Sequence, residues 1–259
     1  MKTPWGYEET SLQERIAIHD KYAKYEINDW ILTSINLRPG DRVLDIGCGN
    51  GKQALLFSDA VGPSGEVVGI DIDRNLLAEA ESKKGGRLVR FVVADADVPL
   101  PFPDNFFEAV SCCFSIYYYK DISKSLSEMR RVLRRGGKLF IVGPTVENAR
   151  EMLSIYEEAA STPIDQKREK RMRDEIIPRI KSLFHDVSVE VFENPVIFPD
   201  TKTFLDYFST TLYFKEIVEK DPDAKQKLDI LKGLVDIVVK ETGHFVVTKR
   251  VYGIIGRKR

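Results

Sequence analysis

Residues 43–51 read Val-Leu-Asp-Ile-Gly-Cys-Gly-Asn-Gly, and twenty residues past the last glycine Asp71 closes the run Val-Val-Gly-Ile-Asp. An apolar strand that breaks into a glycine turn and then a helix leaves backbone amides pointing outward. In an open parallel sheet ligands sit at such strand ends. A carboxylate about twenty residues beyond the glycine turn is placed to take the two hydroxyls of a ribose. The pair of features predicts an adenosine-containing cofactor.

The glycine spacing narrows the cofactor. A dinucleotide turn wants Gly-x-Gly-x-x-Gly, but here the glycines are Gly47, Gly49 and Gly51, and Lys52 stands where the third would fall. Asp45, two residues before the first glycine, would repel a pyrophosphate and welcome a cationic amino group. A ligand with a ribose, an ammonium and a sulfonium centre fits this charge pattern.

The loop Asp45-Ile46-Gly47-Cys48-Gly49-Asn50-Gly51 closely resembles that of class I S-adenosylmethionine-dependent methyltransferases. The resemblance runs from about residue 37 to 144. It takes in Phe91-Val92-Val93-Ala94-Asp95-Ala96-Asp97 and the stretch Leu100–Val110, which look like the type 11 branch, the one with quinone-biosynthesis C-methyltransferases and many small-molecule O- and N-methyltransferases. The resemblance implies S-adenosyl-L-methionine as cofactor and S-adenosyl-L-homocysteine as product. It implies that Asp95 takes the adenine amino group and that Ala96 offers a backbone amide to the ring. Asp71 is expected on the ribose, with Ile72 packed on the adenine face. Asp45, Gly47, Cys48, Gly49 and Gly51 form the loop, Cys48 through its backbone. Asp73 is read as the cap of the next helix, and Asp97 as a turn residue.

The elements that must position these residues alternate. Strands are expected near 42–46, 66–71, 88–93, 108–113 and 137–142, with helices near 50–60, 74–82 and 122–134. Such alternation implies a doubly wound parallel sheet. Apolar residues at helical spacing over 9–36 predict two N-terminal helices. The turn Arg134-Arg135-Gly136-Gly137 is read as a helix stop. Past residue 144 helical stretches run near 147–160 and 164–184, and Val187–Phe198 and Phe245–Ile255 alternate like strands. Residues 200–242 read as a helical insertion, with Asp200 or Thr201 as cap and Gly243 as stop. The expected fold is a seven-stranded, mostly parallel Rossmann-like sheet with an antiparallel edge strand. The expected domains are a helical cap (1–36), a core (37–199 and 243–259) and the insertion (200–242).

Methyl transfer is an in-line displacement at a sulfonium carbon with a good leaving group, so positioning in a dry site carries most of the rate. No catalytic dyad is needed, and none is singled out. The segment Phe114-Ser115-Ile116-Tyr117-Tyr118-Tyr119 follows the fourth strand. Phe114 is counted with the cofactor residues. Tyr117 and Tyr118 could line an acceptor pocket or start a helix packed on the sheet. The insertion offers Phe204, Tyr207 and Phe208, either as a lid over an apolar or aromatic acceptor or as packing on the sheet or at a dimer contact. Tyr22 and Tyr25 could close over the methionine end of the cofactor, or serve as core.

Composition excludes several classes. Lys and Arg total 39 against 40 acids, a formal net charge of −1, which disfavours a nucleic-acid partner. Arg257-Lys258-Arg259 is the only uncompensated basic tip. The three cysteines, Cys48, Cys112 and Cys113, make no disulfide framework. With no Cys-x-x-Cys pair and isolated histidines at 19, 185 and 244, no metal site is indicated. Residues 1–7 lack the apolar run of a signal peptide, and no segment is long enough to span a bilayer. The expectation is a cytoplasmic enzyme, monomer or homodimer, acting on a small molecule. A non-catalytic or regulatory cofactor binder and an RNA-modifying methyltransferase stand as alternatives.

Overall fold

The computed structural model describes residues 9–161, 163–211, 213–214 and 223–259, with side chains from residue 14 onward. The reading of residues 1–7 lies outside the described residues, as does part of the 200–242 insertion. Helix α1 (Glu9–Tyr22) and α2 (Ile27–Ile35) precede the alternating region. There β1 (Arg42–Ile46), α3 (Lys52–Val61), β2 (Glu66–Asp71), α4 (Arg74–Lys83), β3 (Val89–Val93), β4 (Phe107–Cys113), α5 (Ile122–Val132) and β5 (Leu133–Pro144) follow in order. The seven-stranded sheet has the order β3-β2-β1-β4-β5-β7-β6, where β6 is His185–Phe198 and β7 is Phe245–Arg257. Strands β1 to β5 pair in parallel, and β7 lies antiparallel to β5 from Lys138↔Arg257 to Pro144↔Val251. This is the Rossmann-like sheet that the alternation implied.

Period-two alternation buries both faces of the sheet. Leu44, Ile46, Val68, Ile70, Leu139 and Ile141 join one core with Leu126 and Met129 of α5. Val43, Val67, Phe140 and Val142 join the other with Ile31 of α2 and Phe57 of α3. The stripe Ile122, Leu126, Met129 on α5 is buried, and Asp121 caps that helix by accepting from the Lys124 amide at 3.0 Å.

One expectation about element limits is corrected. The stretch Arg134–Gly137 is not a helix stop but part of β5, which begins at Leu133 opposite Phe107. Lys258 reinforces it, accepting from the Gly136 amide at 2.8 Å and donating to Gly137 O at 3.0 Å. The helix expected over 164–184 is α7 (Lys167–Arg171), a π-helical turn (Met172–Ile176) and α8 (Ile177–Leu183).

The chain divides into two compact units, with limits unlike the expected 1–36, 37–199 with 243–259, and 200–242. The larger comprises Ile27–Val146, Lys167–Phe192 and Val251–Arg259. Helix α2 belongs to it because Ile31 and Ile35 are fully buried in its core. The smaller comprises the stretch ending at Glu26 with Glu147–Gln166 and Glu193–Arg250. It holds α6 (Arg150–Ala160), α9 (Thr201–Ser209) and α10 (Ala224–Thr242). Its core joins Met152, Leu153 and Tyr156 of α6 to Phe204 and Phe208 of α9 and to Leu231 and Val235 of α10. So α6 shares one core with the insertion. Asp200 caps α9 by accepting from the Thr203 amide at 2.7 Å, and Gly243 (φ +82°) ends α10.

Candidate functional site: the glycine turn and its carboxylates

The turn between β1 and α3 is fastened to the end of β2. The amides of Gly47 and Cys48 both donate to Ile70 O, at 2.8 and 3.0 Å. Gly47 (φ +69°) admits no side chain, because a Cβ there would lie 2.3 Å from Ser115 Oγ. Gly51 (φ +81°) starts α3, and its Cβ would meet Ala80 Cβ and Phe91 Cζ at 2.9 Å. Nothing lies within 4 Å of the Cβ that Gly49 lacks. The middle of the turn is therefore the part a ligand can approach.

Asp71, 8% exposed, closes β2. Its Oδ2 accepts from the Gly49 amide at 2.9 Å and its Oδ1 from the Asp73 amide at 2.9 Å. Each oxygen keeps a further lone pair, so the carboxylate shapes the turn and can still receive two hydroxyls. Burial pushes its carboxyl pKa up, and the backbone amides of Asp73, Gly49 and Ile72 hold it back. Asp73 caps α4 by accepting from the amides of Asn75 and Leu76.

Asp45 is 2% exposed and lies beside Ser111 of β4 in register. Burial raises its carboxyl from 3.8 to about 7; the Ser111 hydroxyl lowers it in part, and Asp71 raises it further. Its Oδ2 has no hydrogen-bond partner. A buried carboxylate oxygen left without a donor is costly, and a cationic group arriving at the turn would satisfy it. The residues present thus fit a ligand that carries an ammonium and a ribose.

The rim is formed by neighbouring strand ends. Ile72 is 36% exposed, an apolar surface beside Asp71. Asp95 is exposed and accepts from the Asp97 amide at 2.8 Å, while Ala96 is buried. Asp97 accepts from the Lys120 amide at 2.8 Å and so ties the turn after β3 to the entrance of α5. Phe114 (φ +61°) is held in a strained backbone conformation, its amide donating to Val142 O at 2.8 Å. Tyr117 and Tyr118, half-buried with ring centroids 4.6 Å apart, form a short 3-10 turn. Cys48 is buried, and burial keeps its thiol protonated.

The remaining candidates lie in the smaller unit. Tyr22 packs on its core, 6.1 Å from the Phe198 ring, and Tyr25 is half exposed with the Lys24 ammonium 5.2 Å above its ring. Phe204, Tyr207 and Phe208 are at most 1% exposed. Their rings meet Phe198, Phe245 and Tyr156 at centroid distances between 4.6 and 5.9 Å. The three rings, read from the sequence either as a lid over the acceptor or as packing, are buried in the core of their own unit.

Sequence reasoning gave Ser115 no role. Ser115 Oγ donates to Ile46 O at 3.1 Å, and its oxygen lies 3.0 Å from Tyr119 Oη and 2.9 Å from Cys112 Sγ. The one local signal was a hydroxyl two residues past the fourth strand. Its partner Ile46 is 69 residues away.

A parallel sheet of this order with a glycine turn and carboxylates at the ends of β1 and β2 defines a class I methyltransferase fold. Residues 44–141 match the model of the methyltransferase domain of type 11. Over 109 residues the chain is 42% identical to the ubiquinone/menaquinone biosynthesis C-methyltransferase UbiE of Bordetella avium, covering 41% of this chain and 42% of that one. Over 130 residues it is 35% identical to the demethylmenaquinone methyltransferase of Staphylococcus aureus, covering 49% and 54%. The chain thus spans about half the length of the curated relatives it matches. The YcgJ protein of Bacillus subtilis shares the fold at a TM-score of 0.59 and 21% identity, over 90% of this chain and 97% of that one.

Proposed function

We propose that the chain transfers the methyl group of S-adenosyl-L-methionine to a small apolar or aromatic acceptor. The observation that carries this is Asp45 Oδ2, buried without a partner beside a turn whose centre is open at Gly49. Asp45 supplies the counter-charge for an amino group, and Asp71 takes the ribose hydroxyls. Ile72 packs on the adenine plane, and Asp95 and Ala96 receive its edge. When bound, the cofactor supplies an activated methyl on a sulfonium centre; the chain's task is to position it and keep water out.

The names of the two curated relatives make a quinone-type ring the first acceptor to test. Tyr117 and Tyr118 are the residues we assign to acceptor binding in the larger unit. We assign acceptor selection and closure to the helices of the smaller unit, with Phe204, Tyr207 and Phe208 as their packed interior. Calorimetry with S-adenosylmethionine, S-adenosylhomocysteine and NAD tests the cofactor reading, and tighter binding of NAD would overturn it. For the closure, cofactor and acceptor together should slow proteolysis within residues 200–242. Unchanged cleavage would sink that part.

A further inference from the structure

Beneath the glycine turn lies a polar cluster, half-buried at Ser115 and buried at Cys112 and Tyr119, that the function above does not use. Ser115 Oγ occupies the space where a Gly47 side chain would sit and donates to Ile46 O, the last carbonyl of β1. A serine hydroxyl has one proton. With that proton spent on Ile46, the approach of Tyr119 Oη at 3.0 Å is a donation to Ser115. Cys112 Sγ lies 2.9 Å from the same oxygen and 3.4 Å from Tyr119 Oη. Cys112 and Tyr119 are buried, and burial raises both above their ordinary pKa, to about 11 for the thiol. Both donors therefore keep their protons at neutral pH.

The same turn carries Phe114 in a left-handed backbone conformation that a bulky residue rarely adopts. Such a conformation persists only where its surroundings over-determine it. Here the Val142 carbonyl holds one side of the turn, and the serine cluster the other.

We propose that Ser115 is a positioning residue, whose hydroxyl, held by Tyr119 and Cys112, clamps the turn after β4 to the Ile46–Gly47 peptide and so sets the shape of the cofactor turn. The proposal rests on the cofactor reading above. In this role Ser115 acts through the backbone of the turn. Losing it frees Ile46 O and the Tyr119 hydroxyl at once and lets Gly47 and Gly49 wander from the positions in which Asp71 and the turn amides meet the ligand. The geometry also makes cofactor affinity sensitive to a residue on the acceptor-side turn.

The test is calorimetric titration with S-adenosylhomocysteine on the full chain and three variants, alongside amide hydrogen exchange of the ligand-free proteins. Ser115→Ala is expected to weaken binding about 5- to 20-fold and Tyr119→Phe by a smaller factor, since each leaves a buried polar group short of a partner. The control is Ser125→Ala, a fully buried serine whose hydroxyl donates to Asp121 O at 3.0 Å, within α5 and its cap. It should lower stability with affinity unchanged. Exchange at residues 47–51 should rise about tenfold in Ser115→Ala and stay level in the control. Affinity within twofold of the parent, or an equal loss in the control, overturns the proposal. If the parent itself binds no S-adenosylhomocysteine, the cofactor reading fails instead. The exchange data then decide the clamp alone: raised exchange at residues 47–51 supports it, and unchanged exchange refutes it.

Discussion

On the proposed reading of the site, Asp45 should couple cofactor binding to a proton. Burial places its carboxyl at about 7 in the ligand-free fold, against 3.8 for an unburied group. The sign follows directly. Between roughly pH 4 and 7 the unfolded chain ionises while the folded chain keeps its proton, so stability falls as pH rises through that window and levels off above it. The full displacement of about 3 pH units corresponds to about 4 kcal/mol at 1.36 kcal/mol per unit. An ammonium arriving at the partnerless Oδ2 stabilises the ionised form, so binding must release the proton that the free protein holds. At pH 6 the expected release is about 0.9 proton, at pH 7 about 0.5 and at pH 8 about 0.1. S-adenosylhomocysteine affinity should therefore climb about fivefold from pH 6 to 7 and flatten above pH 8. Calorimetry in buffers of different ionisation enthalpy measures the release. Asp71 is also raised by burial and is the nearest group able to mimic the effect. The thiols of Cys48, Cys112 and Cys113 are pushed up and stay protonated across the range. The Asp45→Asn variant separates these. It should lose most of the proton release, bind about 10- to 100-fold more weakly at pH 8, and be more stable without ligand at that pH. Equal proton release in parent and variant would refute the reasoning, as would an affinity that ignores pH between 6 and 8.

Three further outcomes are expected. Asp71→Ala should weaken S-adenosylhomocysteine binding by about 1–3 kcal/mol, read by calorimetry, since the ribose hydroxyls lose their acceptor and the Gly49 amide its anchor. Gly51→Ala should lower the denaturant midpoint by about 2 kcal/mol or more, because its Cβ would meet Ala80 and Phe91 at 2.9 Å in a left-handed backbone. Phe204→Ala should cost about 3–5 kcal/mol in thermal unfolding and leave cofactor affinity of the folded protein within a few-fold; a small stability loss with a large loss of acceptor affinity would return this ring to the acceptor site.

Much of the larger unit was legible in the sequence because its signals are local. Alternation of strands and helices comes from hydrophobic period, and the caps at Asp73 and Asp200 from a side chain reaching amides two or three residues on. The turn needs glycine at 47 and 51 for reasons a spacing pattern records. What the pattern could not record is partnership over long separation. The start of β5 at Leu133 depends on Phe107 across the sheet and on Lys258 far along the chain. Helix α6 shares a core with α9 and α10 through rings some fifty or more residues apart, and those contacts made Phe204, Tyr207 and Phe208 interior where periodicity showed only an aromatic face. The sequence by itself determined that acids at 45 and 71 flank a glycine turn, hence the kind of cofactor. Only the tertiary structure decided that Asp45 is buried with an oxygen left over and that Ser115 fills the space beneath Gly47. Burial and the absence of a partner are properties of everything packed around a residue, which no local spacing encodes.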